Sequence, residues 1–207
     1  TKQKIIDKAL ELFAARGYDA VSVGEIADAV GIKAPSLYNH YPSKQAIFNA
    51  VVEAVAELYE ADTDKIDIHV QNVSRDIPAF VYITEEALFE KVRQIFEYSL
   101  HNETVSRFRR MMTIEQFRSP ELAALCSERY VDRILNYHAD IFRALIASGE
   151  IAKNDPNALA MMYASPVLTL IGVCDRQPER EAECLEKLRE HVKLFFQTVH
   201  GGVSQRD

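Results

Sequence analysis

VSVGEIADAVGIKAPSLYNHYPSK, residues 21–44, decides the fold. Ser22 and Glu25 have the S-x-x-E spacing of a capping box. In that motif the serine oxygen accepts a first-turn N–H and the glutamate reaches back to the serine. The helix it opens runs from about Val23 to Val30, with Ile26 and Val30 inward and small Ala27 where a second helix crosses closely. Gly31 permits a left-handed turn that a β-carbon resists. Pro35 suits the first turn of a third helix, about Ala34 to Tyr41, which Pro42 ends. Leu37 and Tyr41 pack inward, leaving Ser36, Tyr38, Asn39 and His40 largely outward. Two helices around an Ala-x-x-x-Gly turn read as a helix-turn-helix. The outward face strengthens that reading. Ser, Tyr, Asn and His can bond phosphates or base edges, and Asn can pair with adenine through two bonds. A small packing unit with a polar exposed face is the plainer alternative.

Upstream, Ile6, Ala9, Leu10 and Phe13 recur at helical spacing, and Gly17 stops that first helix. Downstream, Ala46, Ile47, Ala50, Val51, Ala54, Val55 and Leu58 mark a fourth helix from Ser43 to about Ala61, about 27 Å long, that connects to the next domain. A plain packing helix is the alternative. Over 62–83 the pattern degrades. Ile66, Ile68 and Val70 alternate with Asp67 and His69 as in a strand, and Pro78 interrupts, so a long, partly extended connection is expected.

Beyond it the pattern is helical again. Glu85 and Glu86 suit a helix N-terminus, followed by the stripe Leu88, Phe89, Val92, Ile95, Phe96 and Leu100. Val105, Phe108, Met111, Met112 and Phe117 form a second piece, in which Arg107, Arg109 and Arg110 read as a solvated, salt-bridged face. Ser119-Pro120-Glu121 starts a helix that Gly149 ends, and Asp155-Pro156 starts another, to about Cys174, with Pro166 inside it. The last helix carries Leu185, Leu188, Val192, Phe195 and Val199 and stops at Gly201. The expected fold is all-α: an N-terminal helix-turn-helix domain over 1–48 and a larger helical domain over 49–207.

The net charge of −7 argues against a nucleic-acid binder if taken whole. Residues 1–48, however, hold six of the 24 basic and only five of the 31 acidic side chains, so the acidity lies beyond them. Cys126, Cys174 and Cys184 are sparse, odd in number and without C-x-x-C spacing, which suggests a reducing cytoplasm. The start, TKQKIIDKALELF, is amphipathic rather than the apolar stretch of a signal peptide. Ala158 to Cys174 is uncharged for 17 residues, but Ser165, Pro166 and Thr169 favour a buried helix over a membrane span.

The residues also carry a resemblance. Leu12-Phe13, Gly17-Tyr18, Ser22-Val23, Glu25-Ile26-Ala27, Gly31-Ile32, Ser36-Leu37-Tyr38-Asn39-His40-Tyr41, Pro42-Ser43-Lys44 and Ile47-Phe48 resemble, over about residues 3–50, the N-terminal signature of the TetR family of transcriptional regulators. The resemblance implies an all-helical homodimer that usually represses from a palindromic operator and releases it when a small molecule enters the C-terminal domain. It implies DNA contacts by Ser22, Lys33, Ala34, Ser36, Tyr38, Asn39, His40 and Lys44. Tyr38 and His40 would mostly hold phosphates, Ser36 and Asn39 would read bases, and Lys44 would clamp the DNA backbone. Gly24 departs from the longer side chains common at its position, which puts base reading by the second helix in doubt.

Leu159, Met162, Tyr163, Val167, Leu170 and Ile171, with Leu188, Val192, Phe195 and Phe196, carry more apolar surface than one core should need. They suit a four-helix interface between two copies, the alternative being an intramolecular core. The resemblance favours the dimer. Phe89, Phe96, Met111, Met112, Phe117, Tyr130, Tyr137, His138 and Phe142 are candidates to line a pocket for a small hydrophobic or aromatic effector. No phosphate loop, nucleophile motif or H-E-x-x-H occurs, and Cys126 and His138 are twelve apart, so no enzyme, cofactor, metal site or membrane partner is expected. Glu179, Glu181, Glu183 and Glu186 read as a solvated acidic stretch. The closer alternative is an architectural or protein-recruiting DNA-binding dimer without a small ligand.

Overall fold

The computed structural model describes residues 1–64, 72–117 and 120–201. Among these residues all regular structure is helical: α1 (Lys2–Arg16), α2 (Val23–Val30), α3 (Ala34–Tyr38), α4 (Lys44–Asp64), α5 (Val73–Phe80), α6 (Glu85–His101), α7 (Glu103–Glu115), α8 (Pro120–Ser127), α9 (Arg133–Ser148), α10 (Pro156–Arg176) and α11 (Glu181–His200). A π-helical turn, Glu128–Asp132, joins α8 to α9, and a 3₁₀ turn, Pro178–Arg180, precedes α11. The all-α expectation holds. The strand-like alternation at Ile66, Ile68 and Val70, and Ser119 of the Ser-Pro-Glu start, lie outside the described residues. The connection expected over 62–83 carries α5. Pro78 lies inside that helix, and Asn72 caps it by accepting the Arg75 N–H at 3.2 Å.

The helices form two compact units: Thr1–Asp62 with Asn102–Cys126, and Thr63–His101 with Ser127–Asp207. The first is larger than the domain expected over 1–48. It takes in most of α4, and α7 packs on α1. The cause is a tertiary partnership. The apolar face of α7 (Val105, Phe108, Met111, Met112) is buried, and periodicity gives such a face without saying which helix will cover it.

Within the first unit α1 buries Ile5, Ala9, Leu10 and Phe13, so Ile5 rather than Ile6 faces inward. Ile5, Ala9 and Phe13 lie four apart on one line, and two adjacent isoleucines are not separable by spacing alone. The capping box of α2 is complete. Ser22 Oγ accepts the Glu25 N–H at 3.2 Å, and Glu25 Oε2 accepts the Ser22 N–H at 2.8 Å. The Ser22 N–H, then its hydroxyl and Arg16, hold the Glu25 carboxyl down at about 2. The ionised cap is therefore present above the ordinary carboxylate pKa of 4.5 and is lost only as pH falls toward 2. Ser22→Ala is expected to cost about 1 kcal/mol, read by chemical denaturation. An unchanged midpoint would mean the box contributes nothing.

The second unit is built around α10, which packs on α9, α11 and α6, while α5 packs on α9. Phe96, Ile141, Leu159, Leu188 and Val192 are fully or almost fully enclosed there. Asp155 caps α10 by accepting the Asn157 and Ala158 N–H groups at 2.8 and 3.4 Å. Thr84 Oγ1 caps α6 through the Ala87 N–H at 3.2 Å. The turn from α10 to α11 brings Cys174 and Cys184 into hydrogen-bond contact as free thiols. Burial, then the Cys184 contact, pushes the Cys174 thiol up to about 12, so it stays protonated. By length and composition α10 is apolar enough to cross a membrane. Leu159, Tyr163, Val167 and Ile171 nonetheless face the core of this unit.

Candidate nucleic-acid interface

The interface candidate grows from the turn between α2 and α3. Gly31 takes φ 80° and ψ 32°, the left-handed conformation that lets α3 follow α2 after a tight turn. Ile26, Ala27 and Leu37 are buried between the two helices and their supports. α3 ends at Tyr38, shorter than expected. Its last turn tightens, with the His40 and Tyr41 N–H groups both donating to the Leu37 carbonyl at 2.9 and 3.0 Å. Asn39 therefore closes the helix instead of lying inside it.

Ser22, Lys33, Ser36, Tyr38 and Asn39 are exposed, and Ala34 and His40 are half-buried. Tyr38, at 52 % exposure, is a large aromatic side chain left open on this face. Gly24 adds no side chain to it, and a β-carbon there would meet only Ser22 Oγ, at 3.7 Å. The outward polar face thus joins α3 to the start of α2.

Lys44 departs from its expected place. Its ammonium donates to the carbonyls of Tyr18 at 2.9 Å, Val21 at 3.0 Å and Asp19 at 3.4 Å, and it lies 4.3 Å from the Tyr18 ring centroid. An ammonium has three donors, and all three are engaged on the α1–α2 turn. Lys44 therefore pins that turn to α4. Spacing gave no hint of this, because the partners are backbone atoms.

Tyr18 was absent from the candidates, yet it is the centre of the support. Its ring lies 5.2 Å from Phe13 and 5.1 Å from Phe48, its hydroxyl donates to Gln45 Oε1 at 3.0 Å, and its N–H donates to Glu115 Oε1 at 3.0 Å. Glu115 had a sequence signal: it continues the buried line Phe108, Met111, Met112 on α7. An acid on an apolar stripe asks for a partner.

The pocket candidates are divided between the two units. Met111 and Met112 are enclosed in the first unit, and Phe117, also there, is 87 % exposed. Phe89, Phe96, Tyr137 and Phe142 belong to the core of the second unit, and Tyr130 is half-buried in the π-helical turn. His138 lies between the rings of Tyr137 and Tyr163, 5.0 Å from each. Tyr137 donates its hydroxyl to buried Asp76. A separate, small apolar hollow, with about 20 Å³ of room for a molecule the size of water, is lined by Phe142 together with Phe80, Ile83, Leu88, Tyr163 and Phe195, among others. Of the expected lining only Phe142 reaches it.

The dimer candidates need a correction. Leu159, Tyr163, Val167, Ile171, Leu188, Val192 and Phe195 are buried within their own unit, the intramolecular alternative. Leu170 and Phe196 are half-buried and Met162 is 48 % exposed. On both helices the longest apolar line is the one facing the core. Met161, Met162 and Leu194, at 52, 48 and 65 % exposure, mark the outward side.

Two family models match the chain. One, of bacterial regulatory proteins of the tetR family, covers residues 5–51, and the other, the C-terminal domain of AefR-like transcriptional repressors, covers 86–197. Among curated proteins the chain is similar to IcaR, the negative transcriptional regulator of the icaADBC biofilm operon in Staphylococcus epidermidis, with 46 % identity over 52 residues. That stretch is 25 % of this chain and only 28 % of the relative's length. Among solved structures, a regulator assigned to the TetR family from Mesorhizobium loti aligns with a TM-score of 0.72 and 22 % identity over 95 % of both chains. SmeT, the repressor of the multidrug efflux pump SmeDEF of Stenotrophomonas maltophilia, aligns with a TM-score of 0.69 and 20 % identity over 99 % of this chain and 93 % of its own. At such identities the structural likeness speaks for the fold.

Proposed function

The chain belongs to the tetR family of bacterial regulatory proteins, a family of transcriptional regulators rather than enzymes, and from that premise we propose that it is a dimeric repressor that leaves a palindromic operator when a small apolar or aromatic effector binds. The observation that carries the reading is the polar face Ser36, Tyr38 and Asn39, exposed on a helix that Gly31 and the α2 capping box hold in place. Ser22, Lys33, Ala34 and His40 extend that face. With few cations available, affinity rests on hydrogen bonds to phosphates and on two heads bound together. Exposed Met161, Met162 and Leu194, with half-buried Leu170 and Phe196, support pairing through α10 and α11. The aromatic content of the second unit supports an apolar effector, and such a regulator works in the cytoplasm.

Selection of bound sequences from random duplex DNA tests the reading. The expected product is a palindrome whose half-sites lie about one helical turn, or a multiple of it, apart. Recovery of no palindrome overturns it. On the recovered operator Tyr38→Phe should weaken binding about tenfold whatever the bases, by removing a hydrogen bond to a charged phosphate. Asn39→Ala should relax preference at particular base pairs by about 1–3 kcal/mol. Equal scaling by both changes would refute this division of roles.

A further inference from the structure

Residue 18 is fixed through both of its backbone polar groups. Its N–H donates to Glu115 at 3.0 Å, across 97 residues of sequence, and its carbonyl accepts the Lys44 ammonium at 2.9 Å. The surrounding segment, from Gly17 to Val21, lies between helices, so its backbone groups have no ladder to satisfy them. Gly17 donates back to Phe13 and Val21 to Tyr18. The Tyr18 N–H depends on a side chain from α7. That side chain is a fully buried carboxyl group on the otherwise apolar line Phe108, Met111, Met112. Leucine would fill nearly the same space without the cost of burying a polar group. It could not accept an N–H.

We propose that Glu115 is a positioning residue for operator binding: from α7 it sets the α1–α2 turn, and with it the place of Ser22 and of α2 against DNA. The proposal rests on the DNA-binding reading above. Ser22, where α2 is capped, follows Tyr18 by four positions, with Lys44 holding three carbonyls in between. A loosened Tyr18 therefore alters the entry of α2 without touching any residue of the polar face. α7 also has little slack at its far end. Asn102 is the sole residue between α6 and α7, it caps α7 through the Val105 N–H at 3.0 Å, and its amide donates to Asp62 of α4 at 3.2 Å. Helix α7 is thus tied at one end to α4 and at the other to the turn that feeds the reading head.

The test uses the full chain, the operator recovered by selection, and Glu115→Leu, Glu115→Gln and Glu115→Asp. Glu115→Leu keeps the volume and removes the acceptor, and should weaken operator binding about tenfold or more, alike for all sequences. Glu115→Gln keeps an acceptor oxygen in place and should restore binding to within about threefold of the wild type. Glu115→Asp withdraws the acceptor by one methylene, gives a graded loss, and carries the test if the leucine variant does not fold. The amide resonance of Tyr18 is the second readout. It should move upfield and exchange faster in Glu115→Leu and stay near its wild-type position in Glu115→Gln. A leucine or aspartate variant that binds as the wild type does, or a Tyr18 amide that does not respond, overturns the proposal. If the wild type itself selects no DNA, the functional reading falls, and the proposal's operator clause with it. The amide shift then still reports whether Glu115 holds the turn.

Discussion

Phe13→Ala should destabilise the first unit by about 3–5 kcal/mol and remove DNA binding with it. Phe13 is wholly buried, and its ring lies 5.2 Å from Tyr18 and 6.1 Å from Phe48, which themselves stand 5.1 Å apart. These three rings join α1, the α1–α2 turn and α4 around one point. Truncation removes the transfer free energy of a phenyl group, leaves a cavity that close-packed neighbours refill only in part, and removes two ring contacts worth about 0.5–1.5 kcal/mol each. Single domains hold only about 5–15 kcal/mol in total, so the loss is a large share of what the unit has. Because the chain has two units, the measurement should follow the first alone, by hydrogen exchange at the amides of α1. A loss under about 1 kcal/mol there would show that the ring triangle is not the centre of this core.

The second large effect is a fall in stability between pH 6.5 and about 4, carried by His138. Burial pushes its imidazole down from 6.5 to about 4, against a smaller upward pull from its hydrogen bond to the Ile134 carbonyl, at 2.8 Å. A neutral ring with its Nδ1–H on that carbonyl fits the arrangement, with Tyr137 and Tyr163 on its two sides. The sign follows from proton binding. Above pH 6.5 neither state is protonated and the neutral buried ring costs nothing. As pH falls, the unfolded chain takes up the proton first, so stability drops until the folded ring also titrates near 4. The full drop is on the order of 3 kcal/mol, an upper value because part of the residue reaches solvent. Partly buried His191 is shifted in the same direction by the same cause. Unfolding midpoints of the wild type and of His138→Gln, measured from pH 4 to 7.5, should converge at the acid end. Parallel curves would show that His138 does not carry the effect.

What the sequence revealed divides by range. Local chemistry was legible: the Ser22–Glu25 box, the Gly31 turn, Asp155 before Pro156 and the bounds of α2 are all as read, because each depends on neighbours within five residues. The exposed face of α3 was legible for the same reason, although the tightened end at Leu37 shortens the helix. What depends on a distant partner was not legible. A lysine at the start of a helix looks like a free cation, and the carbonyls of Tyr18, Asp19 and Val21 that it holds come from 23 to 26 residues away. Met111 and Met112 look like pocket lining until α7 packs on α1. On α10 and α11 seven of the ten residues chosen from spacing face their own core, while Met162 among them and Leu194 beside them mark the outward side.

Gly24 gives the reading head scope for evolutionary change. A side chain at that position would meet one hydroxyl, Ser22 Oγ at 3.7 Å, and no other side chain among the described residues within 4 Å. Glycine within a helix costs up to about 1 kcal/mol relative to alanine, so most replacements stabilise α2 or leave it unharmed. A mutation of this single codon can place a new group beside the polar face while the capping box, Tyr18 and Lys44 keep their partners. A lineage carrying this head can therefore vary that position in one step, without first gaining stability elsewhere to tolerate the change.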